Sequence, residues 1–99
     1  MNTANLQLEG LYLVVAAINN ALVQKGVLSR AEVSVALERA EQIALGDYRV
    51  EEKLPPAYRD AIAFPARLLL KANQGGDGQS FSELARAVGA TKAPYNDQL

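Results

Sequence analysis

The chain has 99 residues, 49% of them apolar and 21% charged, with ten Lys or Arg against eleven Asp or Glu and a net charge of -1. That length and apolar share suit one domain with its own core, and the slight acidity gives no broad attraction to phosphate or anionic lipid. Cys and His are both absent, which removes disulfides, thiolate chemistry, most transition-metal sites and every triad built on imidazole.

The first apolar stretch predicts a helix over about 4–25, with Gly26 just past it as a left-handed cap. Leu11, Val14, Val15, Ile18 and Leu22 recur at i, i+3, i+4, i+7 spacing and are expected to face the core. Tyr12, Leu13 and Val23 fall off that stripe, so the helix is apolar around most of its girth. Such a helix is central in its bundle or shared with a partner. The longest unbroken apolar run, Leu11 to Ile18, is short of the ~20 residues of a membrane span. No basic residue precedes it, unlike a secretory signal. The expectation is a cytoplasmic chain with no membrane partner.

The second helix, 30–45, has a sharp start. Ser29-Arg30-Ala31-Glu32 forms a capping box, with Leu28 and Val33 placed as a hydrophobic staple. Val33, Ala36, Leu37, Ala40, Ile43 and Ala44 make its inward stripe, Ser34, Glu38, Arg39 and Gln42 point away, and Gly46 closes it. The short connection predicts that the first two helices pack as an antiparallel hairpin. Glu38 and Glu41 are spaced to share a helix side, but with Arg39 beside them they read as a solubilising surface. An acid–base pair needs environments that push two pKa values apart.

Residues 47–54 read as a polar connection. Tyr48-Arg49 and Tyr58-Arg59 repeat a dipeptide around Glu51-Glu52, and Tyr and Arg are residue types enriched at interface hot spots. Pro55 and Pro56 suit the first turn of a third helix over 56–73. Tyr58, Ile62, Ala66 and Leu69 share one face, with Phe64 and Leu68 behind it. Pro65 lacks the amide that would serve Ala61, so the helix either kinks or splits there. The bundle therefore has four helices, or five if the third divides.

Residues 74–79 read as a linker. No Lys follows their glycines as in a phosphate loop, and Asp77 is too few acids for calcium. Ser80-Phe81-Ser82-Glu83 is a second capping box, opening a helix over 81–88 with Phe81, Leu84, Ala85 and Val88 inward and Gly89 at its end. Residues 90–99 read as tail. With Ala85, Gly89 and Tyr95 at fixed offsets and Leu84 and Val88 as inward positions, residues 81–95 resemble the front half of a helix-turn-helix. The resemblance implies a recognition helix from about Thr91, offering Lys92 and Asn96 to nucleic acid with Asp97 opposing them.

Taken together, the expected fold is all-α: a small bundle built on an N-terminal antiparallel helical hairpin. The expected function is a protein–protein interaction or regulatory and adaptor module that self-associates as a homodimer. It is not expected to be an enzyme or to need a cofactor or metal. The expected interface is Tyr12, Leu13, Val23, Val35, Phe64 and Leu68, rimmed by Tyr48, Arg49, Tyr58 and Arg59. The alternative is a nucleic-acid-binding regulator acting through a degenerate helix-turn-helix at 81–98.

Overall fold

Ser29 and Ser80 set the starts of two helices through the same exchange of hydrogen bonds. The Ser29 amide donates to Glu32 Oε1 at 2.8 Å, and the Glu32 amide donates to Ser29 Oγ at 3.0 Å. The Ser80 amide donates to Glu83 Oε1 at 2.8 Å, and the Glu83 amide donates to Ser80 Oγ at 3.1 Å. Each box satisfies two amides that no helical carbonyl can reach. At the other end of the first helix, Gly26 has φ of 76°. Its amide donates to Val23 O and that of Val27 to Leu22 O, both at 3.0 Å. This is a Schellman closure, and its left-handed residue is one that only glycine adopts without strain.

The computed structural model describes residues 3–46, 56–76 and 78–91. They form α1 (Thr3–Gln24), α2 (Arg30–Gly46), α3 (Pro56–Gly75) and α4 (Phe81–Thr91), with no strand among the described residues. The fold is a small all-α bundle. Helix α3 neither splits nor ends at Pro65 but runs unbroken through it. Ala61, whose carbonyl loses its helical donor to the proline, is exposed, so water can serve that carbonyl. Helix α4 continues past Gly89 to Thr91. The expected turn of a helix-turn-helix at Gly89 is therefore helix, and residues 92–99, with Lys92, Tyr95, Asn96 and Asp97, lie outside the described residues.

Helix α3 is the shared element. Phe64, Leu68 and Ala72, four residues apart, form a stripe that joins Leu84 and Val88 of α4 and Tyr12 and Ala16 of α1 in one cluster. The opposite side of α3 meets α2, where Asn73 bonds to Arg30 and Ser34 and Arg67 to Glu41. Rising numbers on α2 match falling numbers on α3, so these two helices run antiparallel. The most extensive helix packing is α2 on α3, followed by α3 on α4 and α1 on α3; α1 and α2 share no comparable seam. The antiparallel hairpin expected from α1 and α2 is thus replaced by α2 and α3. The first two helices are linked through Arg30 and Asn20 rather than along a shared seam.

Leu68 is fully buried, and Val33, Ala63, Ala66, Leu69, Ala72, Leu84 and Val88 complete the buried apolar set. No residue of α1 is buried. Leu11, Val14 and Ile18, expected inside, are instead 54%, 54% and 55% exposed. Ala36, Ala40 and Ile43 of α2 are exposed as well, leaving Val33, Leu37 and Ala44 from that stripe to face α3.

Leu68→Ala leaves a cavity among α1, α3 and α4 and is expected to cost about 2–5 kcal/mol in urea denaturation. Ile18→Ala, on a face that meets water, is expected to cost about 0.5 kcal/mol or less. Glu83 supplies a pH test. Hydrogen bonds from the Ser80 amide and then the Ser80 hydroxyl hold its carboxyl below the usual range. The fold therefore favours the carboxylate. That contribution is complete above the unfolded pKa and disappears as pH falls through the lower, folded value. Thermal melts of the wild type and Glu83→Ala should differ at neutral pH and converge in acid.

Candidate functional site

Helix α1 presents two apolar sides, and specific contacts select the inner one. Tyr12 stacks on Phe81 with ring centroids 6.0 Å apart and planes 5° from parallel. It also meets Phe64 edge-on at 6.0 Å and 61°, while Phe64 and Phe81 lie 6.3 Å apart. Three mutually touching rings gain more than their buried area alone. Burial raises the pKa of the Tyr12 phenol above its ordinary value. One turn on, Ala16 packs on the same cluster.

Two turns beyond Tyr12, Asn20 locks the register. Arg30 Nη2 donates to Asn20 Oδ1 at 2.7 Å, and Nη1 donates to the Asn73 carbonyl at 2.9 Å and to Asn73 Oδ1 at 3.3 Å. Asn73, only 5% exposed, returns bonds of 2.9 Å to Arg30 O and Ser34 Oγ. The Asn73 carbonyl belongs to the last turn of α3, where helical donors have run out and the dipole favours a cation. One guanidinium therefore joins α1, α2 and α3. A second joins α2 to α3: Arg67 Nε pairs with Glu41 at 2.7 Å and Arg67 Nη1 with Asp60 at 3.0 Å. The hydrogen bond to Glu41 is the main reason the Arg67 pKa is raised. Glu41 is thus an interhelix partner rather than a solubilising surface residue, because α3 brings Arg67 over it.

With Tyr12, Ala16 and Asn20 turned inward, the other side of α1 faces solvent. Leu11, Val14 and Ile18 line it at i, i+3, i+7, and Gly10, Ala17 and Ala21 beside them are also exposed. Leu6 and Leu13, at 50% and 38% exposure, flank the stripe. Glu9 is the only charged residue of α1, and it is half-buried. The result is an uncharged, largely apolar helix face about 22 Å long from Leu6 to Ala21. Patches of this kind mark interaction sites. At its edge a cleft of about 270 Å³ runs between α1 and the turn before α4, lined by Leu13, Ala16, Ala17, Ala72, Gly76, Gly78, Gln79 and Leu84. Among the described residues no charged side chain lines it, and it falls just short of the usual size of a small-molecule pocket.

By length and composition α1 is also apolar enough to cross a membrane, with mean hydropathy 1.4 over its best window. The unbroken run from Leu11 to Ile18 understates this, because the window tolerates scattered Asn and Gln. Core helices of soluble proteins reach the same length and hydropathy but are mostly buried, whereas α1 has no buried residue.

The expected interface divides. Leu68, Tyr12 and Phe64 belong to the interior: Leu68 is fully buried, and the two half-buried rings pack on each other and on the core. They were expected outside because the opposite stripes of α1 and α3 were read as inward. Leu13 and Val35, at 38% and 56%, are exposed, and so are Tyr58 and Arg59. They lie on three helices, α1, α2 and α3. Val23 is half-buried, and Tyr48 and Arg49 lie outside the described residues. Leu6, Leu11, Val14 and Ile18 are the surface residues that sequence reasoning missed. The available signal was Tyr12-Ala16-Asn20, an aromatic, a small and a hydrogen-bonding residue four apart.

Among the described residues no group of three or more Asp or Glu is placed to hold a metal ion. No family model, no curated protein and no solved structure matches this chain.

Arg30→Ala removes the donors for Asn20 and for the buried Asn73. It is expected to cost about 1–3 kcal/mol in chemical denaturation. Arg30→Lys should recover less than half of that, since an ammonium cannot span both acceptors as the guanidinium fork does.

Proposed function

We propose that the chain is a protein-interaction module of the regulatory or adaptor kind, docking its partner on the solvent face of α1. The observation that carries this reading is the orientation of α1. Its most regular apolar stripe, Leu11, Val14 and Ile18, stays about half exposed, although 22 residues of helix are invested in it. A helix that served only to cover α3 and α4 would carry charged residues on its outer side. This one carries none there. Burial of half-exposed Leu, Val and Ile side chains supplies roughly 1 kcal/mol each on docking, which offsets the association cost only when several act together.

A photo-crosslinking amino acid at position 14, introduced in the cells that make the protein, tests the reading. A discrete protein adduct is expected from position 14 and none from position 39, on the polar side of α2. Equal labelling from both positions, or none from position 14, defeats the proposal.

A further inference from the structure

We propose that the cleft beside α1 binds a small carboxylic acid with an apolar tail, its carboxylate held by Arg30 and Asn20 and its tail laid along Ala17, Ala16 and Leu13. Asn20 lies one turn beyond Ala16 on α1, and Gly76 one turn beyond Ala72 on α3. Ala16, Ala72 and Gly76 all line the cleft, so it leads toward the end where Arg30 joins α1 to α3. Gly76 has φ of 79° and no side chain to block that end. A Cβ placed on it would stand 3.9 Å from Arg30 Nη2. The guanidinium thus sits one van der Waals contact behind the cleft wall, while the opposite end, at Leu13, is apolar.

Charge decides the head group. Among the described residues Arg30 bonds only to neutral oxygens, those of Asn20 and Asn73, whereas Arg67 has two carboxylates. Three hydrogen bonds fix the Arg30 guanidinium in place and leave its positive charge without an anion. Arg30 Nε and Asn20 Nδ2 donate to no described residue, and neither is enclosed by protein, so both are open to an acceptor from outside. Oriented donors beside an unpaired cation match the two oxygens of a carboxylate. The same cation repels an ammonium head, and a neutral molecule of the same shape leaves it unpaired.

Size limits the tail. The cleft holds about 270 Å³, more than the ~150 Å³ that suffices for benzene and less than a drug-sized ligand needs. Leu13 and Asn20 are about 10 Å apart along α1, the extended length of an acid of about eight carbons. Small residues, Ala16, Ala17 and Ala72, form the floor and walls along that length, and they leave room for an alkyl chain that Leu or Val there would fill.

The test titrates the whole chain at neutral pH with octanoate, octanol and octylammonium, read by calorimetry and by amide chemical shifts. Octanoate should bind about 10-fold or more tightly than octanol, and octylammonium more weakly than either. The largest shifts should fall on Ala17, Gly76 and the Asn20 side-chain amide. Arg30→Gln should bring octanoate down to the affinity of octanol. Ala17→Leu, at an exposed site away from the guanidinium, should weaken octanoate and octanol alike by about 10-fold, because the larger side chain takes the place of the tail. Its helical circular dichroism should match the wild type, so the proposal stays testable if Arg30→Gln fails to fold. No binding of octanoate at millimolar concentration, equal affinity for all three head groups, or octanoate binding indifferent to Ala17→Leu would overturn the inference. Shifts confined to Leu11, Val14 and Ile18 would overturn it too, since the outer face of α1 would then be taking up alkyl chains without regard to their heads.

Discussion

Tyr12 lies flat on Phe81 and edge-on to Phe64, and these ring contacts fix which side of α1 the rest of the molecule sees. An aromatic side chain buries more area than an aliphatic one, and its ring quadrupole adds a preference for stacked and edge-on neighbours. Leu11, Val14 and Ile18 offer α1 more apolar residues in a more regular stripe. They have no such partners on α3 or α4. The contest between a tidy stripe and a well-matched ring goes to the ring, and the stripe is left in water.

Helix α3 makes that outcome possible because it is buried on two opposite sides. Its Phe64–Leu68–Ala72 stripe serves α1 and α4, while Arg67 and Asn73 fasten the side that meets α2. Small residues at Ala63, Ala66 and Ala72 let neighbouring helices approach closely. The polar node of Arg30, Asn20, Asn73 and Ser34 then sets register where apolar packing is permissive. Its members are neutral apart from Arg30, so one guanidinium is satisfied by amide and carbonyl oxygens and by the negative end of α3.

The functional reading follows from this competition rather than from any reactive group. A helix chosen for its inner contacts carries an outer face that water does not favour. That face is long, uncharged and continuous with a cleft beside the turn into α4. Such a surface is suited to helix-on-helix docking, in which side-chain size and register provide specificity in place of ion pairs.

The sequence by itself determined the helices, because what starts and stops a helix acts within a few residues. The capping boxes at Ser29 and Ser80 and the left-handed Gly26 were legible as local chemistry, and all three are present. The all-α class followed from the same signals. Gly89 misled, since a glycine inside a helix and one at its end look alike when no neighbour is known. Pro65 was legible as a disturbance, yet whether it broke α3 depended on packing from both sides. Only the tertiary structure decided which face of α1 is inside, and with it the identity of the candidate site. Apolar periodicity selects a face only when the opposite face is polar, and α1 has no polar face to reject. The choice passed to residues far along the chain, Phe64, Asn73 and Phe81, and no spacing within α1 encodes them.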